Sequence, residues 1–338
     1  MSFVDDERAR ATAWKSRTDT LPEDAKRPAP YIGKDGEPGS KLYDFCLPIE
    51  FAEYNLLPEV RADALGLFAE LGIPWHATVS GGPSNHLLSS QVQCVNALGQ
   101  MIADPARLVA AFGDVLGTVD VLEIEPGRCL TFEYIGPTDF FGEADRGTRV
   151  RGAKCTSVDA AFLHRTRENL VELVLVEWKY TESYRRRTAE LRKDQVRAGR
   201  YDAAIGDPDG PVNGNLLPTE SLFDEPFYQL VRQQLLAHAL ECAGTHGAER
   251  VRVVHVLPAA NLAYQASLAR PEHRAIGDSV SAVWNRLRRP TEPDRFLTLD
   301  PAIFLDPSIT SAEYISRYGC DGRTDDERDN RTAEESTC

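Results

Sequence analysis

Three residues near the middle of the chain have types and spacing that could hydrolyse a phosphoester: Asp159, Glu177 and Lys179. Asp159 lies in TSVDAAFL, a run of small and apolar residues, and Glu177 and Lys179 close a second run, LVELVLVEWKY. Side chains alternate across a strand, so Glu177 and Lys179 share one face, with Leu173 and Leu175 behind them. A lone carboxylate there would be expensive to bury. Two carboxylates converging from adjacent strands make sense around a hard divalent cation, because Mg2+ is held by one or two carboxylates, water and substrate phosphate oxygens. Lys179 then adds a positive charge that can position or help deprotonate the attacking water, or stabilise charge in the transition state. The plainer reading is an ion pair on a strand face, which contributes little. Against it stand the apolar run feeding the pair, the acid in the strand before it, and the order of the surrounding elements.

That order is read from periodicity. Pro58 to Leu71 has helical apolar spacing and stops at Gly72, and the helical signal returns from Asn85 to about Ile102. The period then changes to two. VDVLEI (119–124) and CLTFEYI (129–135) flank Pro126-Gly127 and read as a hairpin, while 156–163 and 170–180 read as two further strands. A helix over 226–243 and a strand over 250–257 follow. Residues 1–42, rich in Pro, Gly and alternating charge, read as a weakly ordered arm; 43–320 read as a single domain; 321–338 read as an acidic, disordered tail.

With 42% hydrophobic residues the chain can bury a large core. The charged start MSFVDDERAR has no apolar stretch, and no run approaches the ~20 residues that span a bilayer, so the expectation is a cytoplasmic protein with no membrane partner. Seven scattered cysteines without a CxxC pair indicate neither a disulfide framework nor a zinc site. The seven histidines have no nuclease or metal spacing, and the absence of GxxxxGK[ST] argues against a nucleotide-driven motor in this chain. A formal net charge of -14 argues against a simple cationic coat for nucleic acid, so any contact must come from local patches.

The segment TSVDAAFLHRT…LVELVLVEWKYTE resembles the second and third motifs of the PD-(D/E)XK nuclease superfamily, and is most similar to a bacterial branch of restriction endonucleases. Stretches similar to LLSSQVQCVN before the site and FYQLVRQQLL after it belong to the same resemblance, which covers roughly 45–310. It implies an α/β, restriction-endonuclease-like αβββαβ core with a mixed central sheet flanked by helices. It implies Asp159 and Glu177 as metal ligands, the backbone carbonyl of Trp178 as a further ligand, and Lys179 as the catalytic lysine. Mg2+ or Mn2+ would be the cofactor and double-stranded DNA the partner, with a homodimer left open. The chain departs from the family pattern in placing Val158, not proline, before Asp159.

Other residues are weighed around this core. Gln91 falls on the stripe of Leu88, Val95, Leu98 and Ile102, and faces either the catalytic centre or a capped position in the core. Gln229 and Gln233 lie one turn apart after the motif, with Tyr228 and Arg232 beside them, as a polar ridge toward phosphate or bases or, more plainly, as ordinary solvent-facing glutamines. Glu125 is a candidate additional metal ligand and Glu182 a candidate support near the site. The basic run holding Arg185, Arg186, Arg187, Arg192 and Lys193 follows the motif strand, where a substrate backbone must pass, and Arg151 and Lys154 precede it. Metal-dependent hydrolysis of DNA is the function expected; the alternative is a catalytically silent nuclease-fold protein that binds nucleic acid or a protein partner.

Overall fold

The computed structural model describes residues 2–33, 36–76, 81–185, 187, 190–290 and 295–319. The segment read as a weakly ordered arm is folded. Ser2 caps α1 (Phe3–Arg17) by accepting from the Asp5 amide, with Asp5 and Asp6 in the first turn and Lys15 and Arg17 in the last, matching the helix dipole. Average composition misled because burial rests on a few large residues. Trp14 is fully buried and its Nε1 donates to Glu313 at 2.8 Å, while Lys15 Nζ donates to the carbonyls of Arg27 and Cys46 at 2.8 and 2.6 Å. A two-stranded antiparallel ribbon, β1 (Ala29–Ile32) and β2 (Pro38–Tyr43), completes this part. The tail, 321–338, lies outside the described residues.

α2 (Pro58–Leu71) begins with a proline and stops at Gly72, which takes the left-handed φ of 63° that glycine tolerates best. α3 (Ser90–Leu98) starts later than its periodicity suggested, because the Ser89 side chain caps it by accepting from the Val92 amide. α4 (Pro105–Leu116) follows, capped by Asp104.

The central sheet comprises β3 (Thr118–Leu122), β4 (Leu130–Tyr134), β5 (Val158–Thr166), β6 (Val171–Trp178), β7 (Arg250–Val256) and β8 (Phe296–Leu299). β5 and β6 are antiparallel, whereas β6–β7 and β7–β8 are parallel. The expected hairpin around Pro126-Gly127 does not form. β3 and β4 lie end to end along β5, with Leu122 opposite Leu163 and Leu130 opposite Phe162, and the turn closes only a small loop in which Glu125 bridges Arg128. Every residue of β4 is buried, which one arm of an edge hairpin would not achieve.

Beyond the sheet lie α5 (Leu191–Gly206), α6 (Phe227–Cys242), α7 (Leu262–Gln265), α8 (Pro271–Ile276), α9 (Val280–Leu287) and α10 (Ala312–Tyr318). One face of β5–β7 (Phe162, Val174, Val176, Trp178) packs with Trp14, Phe68 and Phe112 from α1, α2 and α4. The other (Ala161, Leu163, Leu173, Leu175) packs with Leu230, Leu236 and Trp284 from α6 and α9. Helix, three consecutive sheet positions, helix and strand therefore follow in the expected αβββαβ order, β3 and β4 sharing one position. Among the described residues no helix is long and apolar enough to cross a membrane.

Candidate active site

The antiparallel ladder of β5 and β6 ends with Ala160 opposite Val176, and Asp159 and Glu177 are the next residues beyond that pair on the two strands. Glu177, two residues on from Leu175, shares the face that packs against α6. There Gln233 Nε2 donates to one oxygen of the Glu177 carboxylate and Lys179 Nζ donates to the other. The Trp178 amide donates to Asp159 Oδ2 at 2.6 Å, so the backbone between Glu177 and Lys179 fixes the second acid. Asp159 Oδ1 carries no hydrogen bond among the described residues.

A third carboxylate completes the cluster. Glu133 in β4 is buried and has φ 46°, uncommon for a residue other than glycine. Gln91 Nε2 donates to its Oε1 at 3.2 Å and Ser157 Oγ to its Oε2 at 2.9 Å. Gly152, at φ 66°, passes directly over it: a Cβ there would sit 3.0 Å from the carboxyl carbon, so the close approach requires glycine. The three acids open into a cleft of about 250 Å³ whose wall also includes Lys154, Gln229 and Arg232.

Burial dominates the electrostatics. It pushes the carboxyls of Glu133 and Asp159 up to about 7 and that of Glu177 to about 8, with the charge of Asp159 adding to the effect on Glu177. Burial alone would lower the Lys179 ammonium, but the negative groups around it, Glu177 first, outweigh that and hold it well above its ordinary value. If all three were ionised, the one ammonium would leave two negative charges uncompensated, which is why these carboxyls hold their protons so far above the ordinary range.

The donor set fits a divalent cation of the Mg2+ or Mn2+ kind. All the candidate ligands are hard oxygens, one oxygen of Asp159 is uncommitted, and a double positive charge would balance the deficit. Among the described residues no group of three or more His, Cys, Asp or Glu side chains is drawn together as a complete cage. A cation here would therefore rely on one or two carboxylates, with water and substrate oxygens supplying the rest, which is the habit of Mg2+.

The remaining expected residues divide sharply. Gln91 supports the centre: besides Glu133 it reaches the Pro74 carbonyl at 3.3 Å and accepts from the His76 amide at 3.0 Å. Gln233 is buried against Glu177, not solvent-facing, and Gln229 lines the cleft. Glu182 bends back to accept from the Tyr180 amide at 2.6 Å and acts on Lys179 only through its charge. Glu125 must be corrected. Its carboxylate is taken by Arg151, by Arg128 at 3.4 Å and by Thr131 Oγ1 at 2.9 Å, and it does not line the cleft. Arg151 is likewise spent on Glu125, Thr131 and the Phe132 carbonyl, so it braces β4 and is not offered to a phosphate.

In the basic run, Arg187 is drawn inward to Asp194 and Asp224 at 2.7 and 3.2 Å, correcting its reading as a substrate contact. Arg185, Arg192 and Lys193 are exposed, and Arg186 lies outside the described residues. Lys154 stands at the rim, 82% exposed.

Glu133 was missed in the sequence although it carried a signal, since an acid inside the apolar run LTFEY must have a buried partner; Arg232, read only as a neighbour of the two glutamines, lines the cleft itself.

The model of a family described as restriction endonuclease associating with ARP matches residues 8–319 of the chain. No curated protein and no solved structure matches.

Proposed function

The chain belongs to the family of restriction endonucleases associating with ARP, and from that premise we propose that it is a metal-dependent nuclease hydrolysing DNA phosphodiester bonds. The observation that carries the reading is the convergence of three buried carboxyls, Glu133, Asp159 and Glu177, on one cleft, with only Glu177 held by an ammonium. Asp159 and Glu177 would hold Mg2+ or Mn2+, with the Trp178 carbonyl as a further ligand. When bound, the ion supplies Lewis-acid charge at a phosphoryl oxygen and eases loss of a proton from water.

The chain's own groups set the geometry. Gln233 and Lys179 grip the two oxygens of Glu177, and the Trp178 amide orients Asp159, so neither acid needs to reorganise as charge develops. Lys179, held against Glu177, would contribute positive charge behind the acids as the transition state becomes more negative. Arg185, Arg192 and Lys193, exposed beyond the end of β6, would follow the nucleic-acid backbone. The family description names association with ARP, and a partner of that kind belongs to the same proposal.

The test is incubation with supercoiled plasmid in Mg2+, Mn2+ and EDTA in parallel. Nicked or linear product in either metal and none in EDTA is expected. Binding without cleavage in all three would favour a nuclease fold used only for binding.

A further inference from the structure

We propose that Arg232 grips the substrate phosphate in the cleft, an inference that rests on the nuclease reading above. A phosphodiester approaching three acids needs a fixed positive group, and Lys179 is already committed to Glu177. Among the described residues lining the cleft, the permanent cations are Lys154 and Arg232. They differ in how firmly they are held. Lys154 is 82% exposed and only 3.6 Å from the similarly exposed Asp145.

Arg232, by contrast, is built in. Its Nε donates to Thr156 Oγ1 at 3.0 Å and its Nη2 lies 3.4 Å from Glu143 Oε1. Its guanidinium stands over the Tyr228 ring, 5.0 Å from the centroid. Glu143 is itself pinned by the Thr156 amide and hydroxyl at 2.8 and 2.9 Å and by the Tyr201 hydroxyl. The anchor is therefore shared among four donors and does not consume the guanidinium. Thr156 and Glu143 account for two of the five N–H donors a guanidinium carries, leaving part of the fork for a ligand.

Position along α6 completes the case. Arg232 directly precedes Gln233, which holds Glu177, and Gln229 one turn earlier lines the same cleft. A planar fork held in place by packing and hydrogen bonds suits two-point recognition of a phosphate, whereas a lysine offers only a point charge.

The test measures binding of a labelled duplex by fluorescence anisotropy in Ca2+, which suppresses cleavage, across a salt series. Arg232→Lys keeps the charge, Arg232→Gln removes it, and Lys154→Ala is the comparator. Arg232→Gln should weaken binding on the order of 10- to 100-fold and reduce the slope of log K against log salt by about 0.9. Arg232→Lys should lose about tenfold because the fork is gone, and Lys154→Ala under about threefold. Each protein is first checked for cooperative melting. If Arg232→Gln fails that check, Arg232→Lys decides.

Wild-type affinity in both folded Arg232 variants, or a larger loss in Lys154→Ala, overturns the assignment while leaving the nuclease reading intact. A wild type that neither binds nor cuts DNA would fail that reading first.

Discussion

In the metal-free protein, Glu133 should make stability fall as pH rises, and Glu133→Gln should remove most of that fall. The sign follows from burial: the folded carboxyl titrates near 7 instead of 4.5, so the folded state holds its proton more tightly than the unfolded chain. Stability from this group is full below the unfolded value and is lost as pH climbs to the folded one. Raising a carboxyl from 4.5 to about 7 corresponds to roughly 3 kcal/mol, with part of it shared with Asp159, whose own value the Glu133 charge raises. Glutamine has no proton to lose, keeps the bond from Gln91, and leaves Asp159 and Glu177 one repulsion fewer. Urea unfolding in EDTA at pH 5 and pH 8 measures the effect. Wild type should lose about 2–3 kcal/mol more than Glu133→Gln between the two. Mn2+ at pH 8 should restore stability to wild type and restore less to the variant. Parallel pH dependences in EDTA would refute this reasoning.

Three further outcomes follow from the same structure. Asp159→Asn should abolish the rise in melting temperature that Mn2+ or Mg2+ gives the wild type, since a ligand of the folded state stabilises it by mass action; an unchanged rise places the ion elsewhere. Arg187→Ala should cost about 1–3 kcal/mol of stability by stripping an ion pair from the buried Asp224, whereas Arg192→Ala with Lys193→Ala should leave stability unchanged and flatten the salt dependence of DNA binding by about 0.9 per contact; denaturation and anisotropy separate the two. Trp14→Ala should cost about 3–5 kcal/mol by emptying a fully buried site, and a loss below about 1 kcal/mol in urea unfolding would return α1 to the status of a loose arm.

The clustering of Asp159, Glu177 and Lys179 was legible because it depends on the simplest rule of strand geometry. Alternation places Glu177, Lys179 and Leu175 together, and the antiparallel neighbour then brings Asp159 to the same end of the ladder without any special turn. The helix-to-strand changes of period that announced the αβββαβ order were legible for the same reason. Alternation could not reveal Glu133, whose positive φ departs from the strand rule. Nor could it separate Gln233, pressed against Glu177, from an ordinary surface glutamine on an otherwise amphipathic helix. The hairpin expected around Pro126-Gly127 failed because a turn signal fixes a local reversal, whereas the partner of each flanking strand is fixed by the core, and β5 is long enough to accept both. The N-terminal arm failed because composition averages over residues, and one tryptophan with one buried lysine is enough to dock a helix.

The central claim is that Asp159, Glu177 and Lys179 form one hydrolytic centre, and its most direct measurement is plasmid cleavage in Mn2+ by wild type, Asp159→Asn and Lys179→Ala at equal concentration. Duplex binding in Ca2+ is measured beside it. Cleavage by the wild type alone, with both variants still folded and binding the duplex within a fewfold of wild type, is the result expected, because a group that acts in the transition state changes rate more than ground-state affinity. Cleavage by either variant at the wild-type rate would contradict the assignment.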